Sequence, residues 1–161
     1  MARKPSYDEL IKKCENLQRQ LNNDEETIRD LRRNEERYRT ILDTMEEGFS
    51  ELDLAGNLTF VNDAEAKMLG YSKEEIIGIN YSRYTSKQTS KILYEVFHRV
   101  YKTGEPSLLE DYEIIMKDGT KRIHEISAAL IRDTSGRPVG FRGLSRDITK
   151  RKRVEETLRE S

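Results

Sequence analysis

Few side chains in this 161-residue chain could do chemistry. The histidines are His98 and His124, and the cysteine is Cys14. In RIHEISAALI, strand alternation puts His124, Ile126, Ala128 and Leu130 on the more apolar face, so His124 points inward. An inward histidine can be a neutral hydrogen-bonded group, a contact to a polar ligand, or a haem ligand. His98, beside Phe97 at the edge of a helical stripe, reads as a surface residue. The run FSELDL raises a parallel question about Glu51. If Phe49 faces a pocket, so does Glu51, and a carboxylate there must be paired or protonated. Arg142, Arg146 and His124 are candidate partners, so Glu51 reads as a structural ion pair or simply exposed, and a polar contact to a pocket ligand is the alternative. Neither histidine sits in a phospho-acceptor context. Lys117-Asp118-Gly119 is a turn, and Gly136 to Gly143 has no dinucleotide fingerprint. Catalysis is not expected, and an enzyme domain is the weakest reading.

The elements that must position these groups fall into two parts. From Ser6 to Glu47 there is no Gly or Pro. With Tyr7 at heptad position a, an apolar seam runs through Leu10, Cys14, Leu17, Leu21, Ile28, Leu31, Tyr38 and Leu42, with Met45 beyond it. A helix of about 40 residues is roughly 60 Å long, too long for so small a protein to cover, so the seam predicts a homodimer. Asp24 and Glu35 interrupt it. They leave open a break near residues 22–26, local fraying, or a deliberately weakened seam. Cys14 reads as a small seam residue, and with one cysteine no internal disulfide can form.

After Gly48 the pattern becomes α+β. FSELDL and LTFVN are strand-like around a turn at Ala55-Gly56-Asn57. Asn62 or Asp63 can cap a helix ended by Gly70, and Ser72 with Glu75 forms a capping box. Residues 86–103 form a longer helix with Leu93, Val96, Phe97 and Val100 as its apolar stripe. Strands follow at 107–117, 120–132 and 138–146, joined by turns, which predicts an antiparallel meander. Phe49, Glu51, Val61, Leu93, Phe97, Val100, Tyr112, Ile114, Met116, His124, Ile126, Ala128 and Leu130 are the pocket candidates, or simply core.

Four segments in order resemble one family. They are DLAGNLTFVN at 53–62, LGYSKEEIIG at 69–78, KDGTKR at 117–122, and GRPVGFRGLSRDIT at 136–149. The chain from about 37 to 149 is similar to a PAS domain. The resemblance implies a five-stranded antiparallel sheet with helices on one face. A long coiled-coil helix (1–36, extending to about 47) precedes it, and the start of an output helix (150–161) follows. It implies a sensory or coupling module that dimerises through flanking helices and relays ligand or conformational signals to a linked domain such as a histidine kinase. Asp147, Ile148 and Thr149 would join the last strand to the output helix, with Asp147 and Thr149 as competing caps. A ligand-free dimerisation scaffold is the alternative, and a haem-based sensor a weaker one. The family's light-sensing flavin branch needs a cysteine inside the domain. Cys14 lies in the coil, so neither a flavin adduct nor a thioester-linked chromophore is expected, and haem is not expected. The segment VEETLRES at 154–161 resembles TIRDLRRN at 27–34, which suggests a fragment of a multidomain signalling protein.

Composition agrees. The apolar fraction of 35% is low beside 37% charged residues, so part of the chain does not build a core. A net charge of −1 gives no support for nucleic-acid or membrane-surface binding. No apolar run reaches the ~18 residues of a membrane span. A cytoplasmic setting is expected.

Overall fold

The computed structural model describes residues 3–160, which divide into two compact units after Ile41. The first is built on α1 (Tyr7–Thr44), a single uninterrupted helix of 38 residues. It runs straight through Asp24, so the open question of a break near residues 22–26 is answered: charged residues at two seam positions do not stop a helix that lacks Gly and Pro. Ser6 caps it. Its Oγ accepts from the Glu9 N–H at 3.2 Å while Glu9 Oε2 accepts from the Ser6 N–H at 3.1 Å. No residue of α1 is buried in the single chain. Its seam leucines stand open: Leu17 is 59% exposed and Leu31 63%.

The second unit holds β1 (Gly48–Asp53), β2 (Leu58–Val61), α2 (Asp63–Leu69), α3 (Lys73–Ile76) and a 3-10 turn at Tyr81–Arg83. Then come α4 (Lys87–Thr103), β3 (Ser107–Ile115), β4 (Lys121–Arg132), β5 (Pro138–Asp147) and α5 (Thr149–Glu160). The five strands form one antiparallel sheet in the order β2-β1-β5-β4-β3. The first and last strands therefore lie side by side, Gly48 opposite Ser145 and Glu51 opposite Arg142. The expected caps form: Asn62 and Gly70 bound α2, Ser72 and Glu75 make the capping box of α3, and Gly104 ends α4. The 3-10 turn had no counterpart in the sequence pattern.

The core lies between the sheet and the helices. Leu93, Val96, Phe97 and Val100 of α4 pack over Ile114, Ile126 and Ala128. A bulge between Leu109 and Tyr112, with Asp111 at φ 59°, resets the inward parity of β3 so that Tyr112 and Ile114 face the core.

One side chain joins the start of the sheet to the helices. Asn62 is fully buried. Its Oδ1 accepts from the Phe49 N–H at 2.9 Å and the Glu65 N–H at 3.0 Å. Its Nδ2 donates to the carbonyls of Leu42 at 2.7 Å and Glu47 at 3.0 Å. Both faces of the amide are used, so no other side chain of this size can replace it. Asn62→Ala should cost about 4 kcal/mol, as four hydrogen bonds worth roughly 1 kcal/mol each are lost. Asn62→Asp should also destabilise, because it cannot donate. Urea denaturation followed by circular dichroism measures both, and a loss under about 1 kcal/mol for the alanine variant would contradict this account.

Candidate functional site

The interior of the second unit is unusually polar at one end. Ser50 of β1, Glu65 of α2, Tyr112 of β3, His124 of β4 and Ser145 of β5 are all buried, as is Tyr84 after the 3-10 turn. Glu65 is carried inward by α2, and its carboxyl lies over the Gly48–Ser145 pair. A Cβ at Gly48 would overlap Glu65 Oε2 and the Met68 methyl, so close approach, not backbone conformation, requires glycine there. Glu65 Oε2, Ser145 Oγ and both ring nitrogens of His124 have no hydrogen-bond partner. Among the described residues no basic side chain forms an ion pair with Glu65. Burial pushes its carboxyl up to about 7, with Ser145 the one counteracting neighbour. Burial likewise drives the Tyr84 and Tyr112 hydroxyls up. It drives His124 down to about 4, opposed by Asp147 and assisted by Arg122. A cavity of about 20 Å³ lies among Ser50, Glu65, Tyr84 and Tyr112, room for one water.

Of the pocket residues read from sequence, Leu93, Phe97, Tyr112 and Ile126 line this cavity. Val61, Val100, Ile114, Ala128 and His124 are buried elsewhere in the core, and Leu130 is partly buried against it. Met116 falls just past the end of β3 and is half-buried. Phe49 and Glu51 require correction: they face away from the cavity. The inward residues of β1 are Gly48, Ser50 and Leu52. FSELDL has apolar residues at both parities, and burial of Leu52 decides between them. On the outer face Glu51 pairs with Arg142, its cross-strand neighbour, at 3.6 Å. The Arg142 guanidinium also lies 5.8 Å from the centre of the Phe49 ring. Arg146 pairs instead with Glu47, its Nε 3.0 Å from Oε1.

Sequence reasoning missed Ser50, Glu65, Tyr84 and Ser145. Glu65 sits in a first helical turn where acids are ordinary, so nothing marked it as buried. A surface pocket of about 380 Å³ was missed as well. Tyr81, Tyr94, Phe97, His98, Tyr101 and Phe141 line it, beside the turn at Leu54-Ala55-Gly56. The signal was present: Tyr94, His98 and Tyr101 share one face of α4 by helical spacing. His98 is exposed, as expected, and stacks on Tyr94 with ring centres 5.9 Å apart.

The last strand ends in a clamp. Asp147 Oδ2 accepts from Arg122 Nε at 2.8 Å, and Oδ1 accepts from the Thr149 N–H at 3.0 Å and from the Thr149 hydroxyl. Thr149 Oγ1 accepts from the Ile123 N–H at 2.9 Å, and the Ile123 carbonyl accepts from the Ile148 N–H at 2.8 Å. Burial would raise the Asp147 carboxyl, but the hydrogen bonds from Thr149 and Arg122 outweigh it and hold it below the usual range. Asp147 is also the cross-strand partner of His124, with Nε2 to Oδ2 at 3.8 Å.

Residues 36–148 match the family model described as the PAS fold. The chain belongs to the PAS family. Solved PAS domains share the architecture. The PAS domain of a protein from Colwellia psychrerythraea superposes with a TM-score of 0.66 at 23% identity, covering 71% of this chain and 97% of that one. The PAS domain of an HTR-like protein from Haloarcula marismortui gives 0.66 at 18%, covering 77% and 99%. Among curated relatives, the methyl sulfide methyltransferase-associated sensor of Methanosarcina acetivorans is 31% identical over 137 residues, 80% of this chain and 13% of that protein. Sporulation kinase C of Bacillus subtilis is 25% identical over 141 residues, 83% of this chain and 32% of that protein. The chain thus spans about an eighth to a third of these relatives. As a PAS domain it is a regulatory module of signal transduction. Among the described residues no helix is long and apolar enough to cross a membrane.

The buried PAS acid makes stability depend on pH with a definite sign. Glu65 binds its proton more tightly when folded, so its ionisation adds no cost below its ordinary value of 4.5. The cost grows as pH rises from there through about 7, reaching about 3 kcal/mol above it. Glu65→Gln should therefore be more stable than the parent at pH 8, and the two should converge near pH 4.5. His124 acts oppositely: its neutral form is favoured in the fold, and stability falls as pH drops from 6.5 through about 4. Thermal melts of both proteins across this range read the difference, and parallel curves would refute the assignment.

Proposed function

We propose that this PAS domain is the sensory or coupling module of a larger signalling protein, relaying the state of its interior to a domain that follows α5. One contact carries the reading. Fully buried His124 lies 3.8 Å from the Asp147 carboxylate that also accepts from the first residue of α5. A change of charge or position in the interior then acts on the first turn of the output helix through a single side chain. Asp147, Ile148 and Thr149 form the coupling segment. The curated relatives, described as a sensor and a kinase, support a linked output domain such as a histidine kinase.

In this reading residues 37–149 are the sensory domain and 150–161 begin the output helix. Residues 1–36, extending to about 47, form a dimerisation helix whose seam is Leu10, Cys14, Leu17, Leu21, Ile28, Leu31, Tyr38 and Leu42. The setting is cytoplasmic. The small size of the inner cavity favours a second reading, a ligand-free coupling scaffold in which interior packing alone transmits strain. It lends no support to a haem sensor, since a macrocycle needs far more room.

Two experiments test the reading. The chain fused in frame to a dimeric histidine-kinase core should change autophosphorylation about threefold or more when Asp147 becomes Asn or Thr149 becomes Val; unchanged output with a folded domain would sink the relay. Leu17→Ala with Leu21→Ala should weaken self-association at least about tenfold in analytical ultracentrifugation. A monomer at every concentration of the unaltered chain would dispose of the seam.

A further inference from the structure

The inner cavity and the surface pocket share two walls. Tyr81 and Phe97 line both the void of about 20 Å³ and the pocket of about 380 Å³. Their rings stand 5.5 Å apart, and Phe97 is 4.9 Å from Phe141. The two chambers are thus separated by side chains, and rotation about side-chain bonds can open such a partition.

The chambers differ in chemistry. The inner one presents a carboxyl oxygen of Glu65 that makes no hydrogen bond of good geometry, among the Ser50, Tyr84 and Tyr112 side chains, with the Ser145 hydroxyl near enough to favour its charged form. An anion would be repelled there. A neutral group would gain ordinary hydrogen bonds. A compact cation with several N–H donors would gain a charge-assisted bond to Glu65 and contact with tyrosine rings. The outer chamber carries no Lys, Arg, Asp or Glu among its lining residues and is walled mostly by rings, which suits a flat apolar body.

We propose that Glu65 receives the ammonium group of a primary arylalkylamine whose aromatic body lies against Tyr94, His98 and Tyr101, with Tyr81 and Phe97 turning aside to join the two chambers. The proposal rests on the sensory reading of the PAS interior and names the ligand class of that site.

Binding has a proton balance. A protonated Glu65 meeting R–NH3+ releases its proton to solvent and leaves a carboxylate–ammonium pair. The titratable groups lining the cavity with Glu65 are Tyr112 from β3, Tyr84 after the 3-10 turn and Tyr81 within it, all with hydroxyls raised by burial and so neutral. His124 of β4 stands edge-on to Tyr112 at 6.0 Å, neutral for the same reason. The exchanged proton is therefore that of Glu65.

The test uses 4-phenylbutylamine as probe and 4-phenylbutan-1-ol as neutral control, by titration calorimetry on the full chain. With the Glu65 carboxyl at about 7, the amine should release about 0.9 proton at pH 6, read in buffers of different ionisation enthalpy, and its Kd should tighten about tenfold from pH 6 to pH 8. The alcohol should bind at least tenfold more weakly at pH 8. Glu65→Gln should weaken the amine at least tenfold and flatten its pH dependence. Tyr101→Ala should weaken amine and alcohol alike. No amine binding at millimolar concentration at pH 8, equal binding of amine and alcohol, or no proton release by the unaltered protein would each overturn the proposal. The last is independent of whether a variant folds. Failure here leaves the relay standing, since that is judged by output from Asp147 and Thr149 variants.

Discussion

The second unit depends on the Asn62 amide. A hairpin leads straight into a helix at this residue, and such a junction leaves orphan donors at the helix start and orphan carbonyls in the segment before the strand. One buried side chain answers both needs: its oxygen serves the N–H groups of Phe49 and Glu65, its nitrogen the carbonyls of Leu42 and Glu47. The place of α2 against the sheet follows from this. So does the inward reach of Glu65, whose backbone is one of the groups held.

Against that well-satisfied junction, the polar interior is a deliberate cost. Burial raises the Glu65 carboxyl of α2 to about 7 and lowers the His124 imidazole of β4 to about 4, so each is biased toward its uncharged form. A core built only for stability would use apolar groups here. In the proposed relay these two groups would make the interior responsive to a proton, an ion or a ligand charge. The His124–Asp147 contact sets that responsiveness against the clamp at the start of α5.

The architecture was legible because each level of the sequence agreed with the next. Caps at Asn62 and Ser72, the stripe at Leu93, Val96, Phe97 and Val100, and turns between three strands all pointed to one arrangement, and four family segments confirmed it. The site was less legible. Strand parity placed His124 correctly but failed for Phe49 and Glu51, because β1 offers apolar residues on both faces and only packing of Leu52 chooses. Glu65 was invisible because its burial comes from the tertiary position of α2, which no local pattern encodes. The 3-10 turn at Tyr81–Arg83 had no periodicity to announce it, and with it went the aromatic pocket that Tyr81 helps to wall.

The pairing of β1 with β5 has a geometric consequence. The chain comes into the sheet at Gly48 and leaves it at Asp147, and these ends are neighbours: Gly48 opposes Ser145, and Glu47 is bridged to Arg146. Ninety-odd residues of sensor are thus looped out between two points that nearly touch. A module with adjoining terminals can be spliced into a helical shaft, or strung beside copies of itself, without lengthening the line of force between its flanks. In the proposed relay, a change in the interior would be expressed as a small relative displacement at a single crossing point, where a lever on either side could take it up.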